Sequence, residues 1–333
     1  MLGDIVNEQA KNHEVYVVVY HSYSEQSTLD KLSARVKVIH IAKKKREHRY
    51  SKWLIMKLNW RLFWLRADVV HIQTIKLRRA ILPIVGRHQF LTVHALNLPV
   101  ERVRKGVNLI AVSDAVKEDV QSRCSLRVRT IANGINIESI VQREPKHFCG
   151  TMRIVQVARI EDLKGQNILI EALARLKQEG LENVEVDFIG GEEFPKELEA
   201  LQQQAAELGV AERVRFLGLR DRDYVYSHLK DYDLMCHPAR YEGFGLVIAE
   251  GMAAMLPVLV PDQGGPYEII GRGQFGYTFG MGSIEDCASK IEYIYHHYQE
   301  ALAITAPALE RVKACYSVER MVAEYLAYYT STM

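Results

Sequence analysis

The chain has 333 residues, of which 48% are hydrophobic and 25% are charged, an ordinary composition for a folded protein that excludes intrinsic disorder. This length predicts two domains, because a single hydrophobic core stops growing at about 250–300 residues. The net charge of +2 conceals an asymmetry, since residues 1–145 carry a net +12 and residues 146–333 a net −10. Such a split predicts two units with different partners, a basic half that faces anions and an acidic half that does not.

The cysteines and the N-terminus indicate the cellular setting. The five cysteines are scattered without a Cys-x-x-Cys pair, which predicts reduced thiols and neither a disulfide framework nor a zinc site. The first residues lack the basic and apolar regions of a signal peptide. No uncharged apolar run approaches the roughly 18 residues that a spanning helix needs. The sequence therefore predicts a cytoplasmic protein without a membrane span, one that can still lie on the inner membrane face.

The first half of the chain alternates short apolar runs with helical patterns, which is typical of βαβ units. The predicted strands are residues 15–20, 36–41, 68–73, 89–94, 108–112 and 128–132. Val, Ile and Tyr dominate these runs without polar alternation, as expected for parallel strands that are covered on both faces. Ser113 is a favourable N-cap for a helix over residues 114–122.

A second series of the same kind follows an aperiodic stretch at residues 141–151, which predicts a linker. Its predicted strands are residues 152–158, 184–189, 214–217, 233–237 and 258–260. The predicted domains are residues 1–143 and 152–310, with residues 311–333 as a C-terminal helix that can pack back on the first domain. Two doubly wound units place a ligand cleft at the carboxyl ends of their strands.

The stretch with the most chemical information is residues 233–250. A short apolar strand leads into a loop with Glu242, Gly243 and Gly245, and an apolar helix then carries Glu250 in its early turns. Glycines let a ligand approach the backbone, free N–H groups at a helix start attract phosphate, and carboxylates accept hydrogen bonds from sugar hydroxyls. The spacing alone leaves a second interpretation open, a solvated loop glutamate and a glutamate that stabilises the helix dipole.

The same stretch closely resembles the signature of the retaining group 1 glycosyltransferases, family four of the sequence classification, which have the GT-B fold. In that family two glutamates eight positions apart flank a Gly-Phe-Gly turn, as Glu242 and Glu250 do here. Further matches occur in the family's order at residues 91–94, 112–116, 133–134, 155–173 and 264–270. The resemblance spans most of the chain and implies an α/β GT-B architecture, two doubly wound Rossmann-like domains that face a cleft.

The resemblance also implies a role for each matched residue. The donor diphosphate would be bound by Arg159, Lys164, Gly245 and Leu246. The donor sugar and the ribose would be held by Glu242, Gly243, Phe244 and Glu250, with Glu250 on the ribose hydroxyls. On chemical grounds alone, an arginine and a lysine five positions apart between a strand and a helix favour anion binding over two unrelated surface cations.

His94 closes an apolar strand in the first half of the chain, where a lone histidine is more often structural than catalytic. The resemblance reverses this expectation, because the family has an active-site histidine at this strand end, close to the donor sugar. It implies His94 and Glu242 as catalytic residues and an acceptor that attacks from the face that the leaving group departs from. The leaving phosphate would take the acceptor proton. Neither a metal nor another cofactor is implied, since no metal-ligand spacing is present.

Residues 43–66 lie outside these motifs and carry nine Lys and Arg with a single acidic residue. The predicted helix, residues 51–65, has all three tryptophans on one face: Trp53, Trp60 and Trp64. One interpretation is a core helix with a basic outer face, and another is a helix that lies on an anionic membrane surface. Nucleic-acid binding is the least favoured, because no nucleic-acid motif accompanies the charge.

The chain departs from the family pattern at its front. The family begins with a strand and a Gly-rich loop, whereas residues 1–12 resemble the second half of the first helix. We therefore expect a less stable first domain, and this departure puts the catalytic activity of the chain in doubt. A smaller departure is Met255, where the family often has Gly.

Together these features predict a hexosyltransferase that moves a sugar from a nucleotide diphosphate sugar to a glycan or lipid-linked acceptor with retention, in cell-surface polysaccharide or glycolipid biosynthesis. The alternative is a catalytically impaired sugar-nucleotide-binding or scaffold protein. A dinucleotide oxidoreductase is disfavoured, because no Gly-x-Gly-x-x-Gly follows a strand.

Overall fold

The computed structural model describes residues 1–20, 29–41, 52–192, 194 and 196–332. Its helices are α1 (Leu2–Gln9), α2 (Lys52–Leu65), α3 (Asp114–Arg123), α4 (Gln166–Gln178), α5 (Glu197–Glu207), α6 (Arg222–His228), α7 (Leu246–Ala253), α8 (Gly264–Ile269), α9 (Ile284–His296), α10 (Tyr298–Cys315) and α11 (Val318–Thr330). Its strands are β1 (Tyr16–Val19), β2 (Lys37–His40), β3 (Val69–Ile72), β4 (His88–Val93), β5 (Val107–Ala111), β6 (Val128–Thr130), β7 (Met152–Val157), β8 (Val184–Ile189), β9 (Val214–Gly218), β10 (Leu234–Cys236), β11 (Val258–Pro261) and β12 (Tyr277–Phe279). The chain divides into two compact units, Met1–Ile135 with Ser317–Met333, and Asn136–Tyr316.

The first unit contains two parallel sheets. Strands β3 to β6 pair in sequence order, and β1 pairs with β2 in a separate two-stranded sheet. The buried core of the larger sheet includes Phe90 and Ile110, which pack with Met321 and Tyr325 of the C-terminal helix α11. The two central strands are covered on both faces, since β4 buries five of its six residues and β5 four of its five, as expected for parallel strands with mostly apolar sequences.

The C-terminal helix α11 belongs to this first unit. Ser317 caps it, since its side chain accepts a hydrogen bond from the backbone N–H of Arg320. Ile135 and Ser317 form a parallel β-bridge, and the Arg320 guanidinium donates to the Ala132 carbonyl at 2.6 Å. These contacts fix where the chain re-enters the unit after residue 316.

The second unit is a doubly wound sheet of six parallel strands. Their order is β12-β11-β10-β7-β8-β9, so the chain starts in the middle at β7, winds outward through β8 and β9, and returns to β10 on the other side. The point where the winding reverses lies between β7 and β10. In open α/β sheets, ligands bind at the carboxyl ends of the two strands that flank such a point.

The stretch predicted as a linker, residues 141–151, lies within the second unit instead of between the two units. The backbone N–H of Arg143 donates to the Ala254 carbonyl at 2.8 Å, and its guanidinium forms a buried ion pair with Asp233 at 2.7 Å. A buried arginine requires such a partner, and the pair ties the stretch to the sheet. The division of the chain therefore falls after Ile135.

All eleven predicted strands are present within one or two residues of their predicted bounds, and β12 was missed. Helix α3 begins at the predicted residue, because the Ser113 side chain accepts from the Val116 N–H. Met255 has a φ of 61°, a left-handed conformation that side chains with a Cβ disfavour. That conformation explains in physical terms why glycine is common there in the family.

Candidate active site

The candidate site lies in the second unit, in the two loops that follow β7 and β10. The β7 loop carries Arg159 and Lys164, and the β10 loop carries Glu242. Two contacts of Arg240 join the loops: its backbone N–H donates to the Leu163 carbonyl at 3.0 Å, and its guanidinium pairs with the Asp162 carboxylate at 2.8 Å. The winding reversal thus brings together residues that are about 80 positions apart in the chain.

Gly165 explains how the two loops come so close. It has a φ of +69° and ends the short turn that carries Lys164. A Cβ at this position would collide with the Pro238 carbonyl of the opposite loop. Only glycine combines this left-handed conformation with so close an approach of two backbones. We conclude that the Lys-Gly pair of the motif is required by the packing of the loops.

Lys164 and Glu242 form the central contact of the site. Lys164 Nζ lies 2.8 Å from Glu242 Oε2, and both side chains are largely buried. Glu161 Oε1 lies 3.9 Å from the same ammonium and 3.1 Å from the guanidinium of Arg159, which is more exposed. Glu161 therefore joins the two cations that the sequence singled out. Each charge is balanced by an opposite one, as partly buried charges require.

The protonation state of Glu242 follows from its neighbours. Burial alone would raise its pKa, but a close approach to His237 and the ammonium of Lys164 lower the pKa to about 2. His237 Nε2 lies 3.6 Å from Glu242 Oε2, and the imidazole is only 2% exposed. Glu242 is therefore a carboxylate at neutral pH, able to accept hydrogen bonds but unable to donate them.

The turn after Glu242 begins helix α7. Gly245 is its N-cap residue with a φ of +88°, and Leu246 is its first residue. Gly265 N–H donates to the Glu242 carbonyl at 3.2 Å, which joins this turn to the start of α8. The ring of Phe244 is buried and lies edge-on to another aromatic ring of the unit, so its side chain serves packing. The first backbone N–H groups of α7 are oriented for an anion.

Glu250 lies one turn further along α7. The hydroxyl of Tyr226 donates to Glu250 Oε1 at 3.0 Å. Tyr226 is 3% exposed, and burial, followed by the nearby carboxylate, raises its pKa well above the ordinary value, so the hydroxyl stays protonated. Glu250 is thus held in place by a donor on α6. No sequence signal identifies this partner, since Tyr226 lies outside every recognised motif.

His94 lies in the first unit, directly after β4. Its Nε2 lies 3.1 Å from the side-chain oxygen of Gln73, the residue that follows β3. Burial lowers the pKa of His94 below its ordinary value, so the imidazole is neutral at physiological pH. The structure therefore places His94 among the neutral polar groups of its own unit, while the charged candidates lie together in the other.

A second candidate surface is the outer face of α2. Its inward face buries Leu54, Leu58 and Leu62. The opposite face exposes 50–63% of each of five large apolar side chains: Trp53, Met56, Trp60, Phe63 and Trp64. The helix therefore contributes to the core through its leucines, while the tryptophan face lies outside the core. The basic run that precedes the helix, residues 43–46, lies outside the described residues.

The described residues also bear on metal binding and on membrane insertion. Within them, no group of three or more His, Cys, Asp or Glu side chains could hold a metal ion. Among the same residues, no helix is both long and apolar enough to cross a membrane.

Comparison with known families decides what the site belongs to. The family model described as glycosyl transferases group 1 matches residues 142–309, half of the chain. The model described as glycosyltransferase family 4 matches residues 2–139. The chain belongs to the group 1 glycosyltransferases. The matched regions include His94 on one side and the entire Lys164–Glu242 site on the other, so the predicted family is confirmed.

Curated relatives of this group 1 chain match over part of their length. A D-inositol 3-phosphate glycosyltransferase of Jonesia denitrificans is 36% identical over 115 residues, which cover 34% of this chain and 27% of the relative. A GDP-mannose-dependent alpha-(1-6)-phosphatidylinositol monomannoside mannosyltransferase of Mycobacterium tuberculosis is 26% identical over 178 residues, covering 51% of this chain and 45% of the relative. The chain thus matches less than half the length of either.

Solved structures agree over nearly the entire chain. Alr3699/HepE of Anabaena, in complex with UDP and glucose, has a TM-score of 0.82 at 21% identity and covers 100% of this chain and 95% of its own. A glycosyltransferase from Rickettsia africae has a TM-score of 0.81 at 17% identity, covering 98% and 93%. At such identities the likeness concerns the fold alone, and it confirms the predicted α/β fold of the GT-B type.

Proposed function

We propose that this group 1 chain transfers a sugar from a nucleoside diphosphate sugar to a glycan or lipid-linked acceptor, with retention at the anomeric carbon. The setting that we propose is the biosynthesis of cell-surface polysaccharide or glycolipid. The observation that carries the proposal is the Lys164–Glu242 pair, 2.8 Å apart where the winding of the sheet reverses. Such a pair offers a cation for a phosphate and an acceptor for hydroxyls within one small region.

The cations act on the leaving group. Lys164 and Arg159 bind the diphosphate together with the N–H groups at the start of α7. In the free protein Lys164 is neutralised by Glu242, and Arg159 by Glu161. Negative charge on the diphosphate increases as the glycosidic bond breaks, and fixed cations stabilise that charge more in the transition state than in the ground state.

The carboxylates hold hydroxyls. Glu242, ionised because its pKa is about 2, accepts hydrogen bonds from the donor sugar, and Glu250 accepts them from the ribose. We propose that His94 accepts a hydrogen bond from a substrate hydroxyl, as the family resemblance implies. The bond between C1 and the phosphate oxygen breaks, the acceptor oxygen bonds to C1 from the same face, and the leaving phosphate takes the acceptor proton. In this scheme the chain needs no resident metal.

The names of relatives support this substrate class. The mycobacterial relative is named as dependent on GDP-mannose and acting on a phosphatidylinositol mannoside. The Anabaena structure was solved with UDP and glucose. These names describe those proteins, and they guide the choice of nucleotide sugars for a test on this one.

The test is a thermal-shift and transfer assay of the full chain with a panel of nucleotide sugars that includes GDP-mannose and UDP-glucose. A donor at 100 times its Kd stabilises the protein by about 2.7 kcal/mol. We expect one donor class to stabilise the chain and to release nucleoside diphosphate when acceptor is added. Binding without turnover would favour the impaired sugar-nucleotide-binding protein instead. Stabilisation by no member of the panel contradicts the proposal.

We also propose that the exposed face of α2 docks on an anionic membrane surface. The helix contains Lys52, Lys57 and Arg61 and no acidic residue. The rings of Trp60 and Trp64 contact each other edge to face, with centroids 5.8 Å apart, on the surface of the protein. Tryptophan with lysine and arginine is the composition favoured at a lipid headgroup interface. A lipid-linked acceptor would be within reach of a protein that docks in this way.

Flotation with vesicles tests this docking. The full chain should bind phosphatidylglycerol-containing vesicles and release them as salt rises, because the cationic contribution is screened. Replacement of Trp60 and Trp64 by Ser should abolish binding. Leu219→Ser, which removes an even more exposed apolar side chain in the other unit, is the control and should leave binding unchanged. Equal binding to phosphatidylcholine vesicles, or none to either, contradicts the docking proposal.

A further inference from the structure

His94 is the first member of a chain of hydrogen bonds within the first unit. Its Nε2 lies 3.1 Å from Gln73 Oε1, and Gln73 Nε2 lies 3.2 Å from His71 Nε2. His71 Nδ1 in turn lies 2.6 Å from the hydroxyl of Tyr329. The chain therefore connects the ends of β4 and β3 to the C-terminal helix α11.

The direction of the hydrogen bond at His94 follows from the chemistry of Gln73. An amide oxygen only accepts and an amide nitrogen only donates. Gln73 Oε1 therefore requires a proton on His94 Nε2. The amide nitrogen of Gln73 lies 3.2 Å from Nε2 and 3.4 Å from Nδ1 of His71, and the Thr92 hydroxyl lies 2.7 Å from that Nε2, so the Gln73 side chain is held between the two histidines.

The members of this chain are neutral at physiological pH. Burial, and to a lesser degree His94, lowers the pKa of His71 to about 3. Burial likewise lowers the pKa of His94. The titratable groups that face His71 from α11 are Tyr325 and Tyr329, and burial raises the pKa of both hydroxyls. Both imidazoles are therefore neutral, and the tautomer of His94 is determined by the oxygen of Gln73.

We propose that Gln73 is a positioning residue that holds His94 in the Nε2–H tautomer and so presents the lone pair of Nδ1 to a substrate hydroxyl. The proposal rests on the role of His94 in the proposed sugar transfer. In a neutral imidazole the tautomer is set by the hydrogen bond that one nitrogen makes. Without the Gln73 oxygen, His94 can populate both tautomers, and one of them offers a donor where an acceptor is needed.

The decisive experiment is nitrogen NMR of the full chain with labelled histidine, in which the chemical shift separates protonated from unprotonated ring nitrogens. His94→Asn assigns the signals. We expect Nε2 of His94 to be protonated in the parent chain and both nitrogens to share the proton in Gln73→Leu. The turnover number of transfer should fall about tenfold in that variant, the effect of losing one neutral hydrogen bond, with little change in KM for the donor.

Two further variants separate positioning from a merely structural role. Gln73→Glu keeps an oxygen acceptor for His94 and should keep the Nε2–H tautomer, whereas the leucine variant loses it. Tyr328→Phe is the matched control on α11, because the Tyr328 hydroxyl is buried without a hydrogen-bond partner in the described part of the chain. We expect it to change neither the tautomer nor the rate.

An unchanged His94 tautomer in folded Gln73→Leu overturns the proposal, whatever the activity. If that variant does not fold, loss of the Nε2–H tautomer in Gln73→Glu overturns it instead. The NMR measurement does not depend on turnover, so failure of the Gln73 proposal can be distinguished from failure of the proposed sugar transfer. A shifted tautomer in a chain that transfers no sugar counts against the proposed function, and an unshifted tautomer in an active chain counts against Gln73.

Discussion

The two units hold their candidate residues by different physical means. In the second unit, Lys164 and Glu242 are opposite charges 2.8 Å apart, and the carboxylate has a pKa of about 2. In the first unit, His94 is tied to Gln73 through neutral hydrogen bonds, and burial suppresses its protonation. The site in the second unit should therefore respond to salt, pH and charged ligands. The arrangement in the first unit depends instead on which group donates and which accepts in each hydrogen bond.

This difference indicates a division of labour. A preformed ion pair can exchange partners when a diphosphate arrives, since the cation finds a stronger anion and the carboxylate is released to accept hydroxyls. A neutral network has no such exchange, but it fixes the orientation of its members at little electrostatic cost. Substitutions of the charged residues in the second unit test whether their charges control ligand binding and turnover.

The largest effect is expected for Lys164→Ala. Removal of one cation that stabilises developing charge commonly lowers turnover by about a hundredfold. Donor affinity should fall much less, because the contact strengthens as the leaving group separates. Lys313→Ala, an exposed lysine paired with Glu310 on the surface of the same unit, is the control and should have little effect. Equal losses in donor affinity and turnover would contradict a contact that strengthens in the transition state.

A smaller effect of opposite sign is expected for Glu161→Gln. Its carboxylate lies within 4 Å of both Arg159 and Lys164 and partly neutralises them. Its removal should tighten binding of a nucleoside diphosphate by roughly fivefold at low salt, the size of one partly exposed charge contact. Calorimetry at increasing salt measures this gain, which should shrink as screening increases. Weaker binding would mean that Glu161 positions the cations instead of competing for them.

The third prediction concerns a different quantity, the dependence of the free energy of unfolding on pH. The pKa of Glu242 is lowered in the folded state from 4.5 to about 2, so its ionised form stabilises the fold above pH 4.5. This contribution is lost as the pH falls from 4.5 towards 2, because the folded protein must then take up the proton that the unfolded chain already holds. Urea unfolding of the parent and of Glu242→Gln over this range should show a shallower loss for the variant. Parallel curves would contradict the lowered pKa.

The sequence was sufficient to predict the structural features that depend only on neighbouring residues. The apolar strands, the Ser113 cap and the motif that carries Glu242 and Glu250 could all be predicted from neighbouring residues. Strand β12 was missed, since only three residues pair at the edge of the sheet. The exposed tryptophan face of α2 could not be assigned, because the periodicity of Trp60 and Trp64 fits burial and exposure equally well.

The partners of the site residues could not be predicted, because they depend on the tertiary fold. Tyr329 is 258 positions from His71, and no spacing rule links them. His237 and Glu161 lie within the recognised motifs, yet their importance follows from distances in the folded loops, 3.6 Å from His237 to Glu242 and 3.1–3.9 Å from Glu161 to the two cations. Motifs therefore located the charged residues, and only the structure identified what holds them.

The most direct test of the account is the affinity of Glu242→Gln for two ligands, a nucleoside diphosphate and the corresponding nucleotide sugar, measured by calorimetry on the full chain. The amide keeps the shape of the side chain and removes its charge. We predict that binding of the nucleotide sugar weakens relative to that of the bare nucleoside diphosphate and that the preference among donor sugars changes. The bare nucleoside diphosphate should bind at least as tightly as before, because Lys164 loses the carboxylate that neutralises it in the free protein. Equal weakening of both ligands would contradict the assignment of Glu242 to the sugar and Lys164 to the diphosphate.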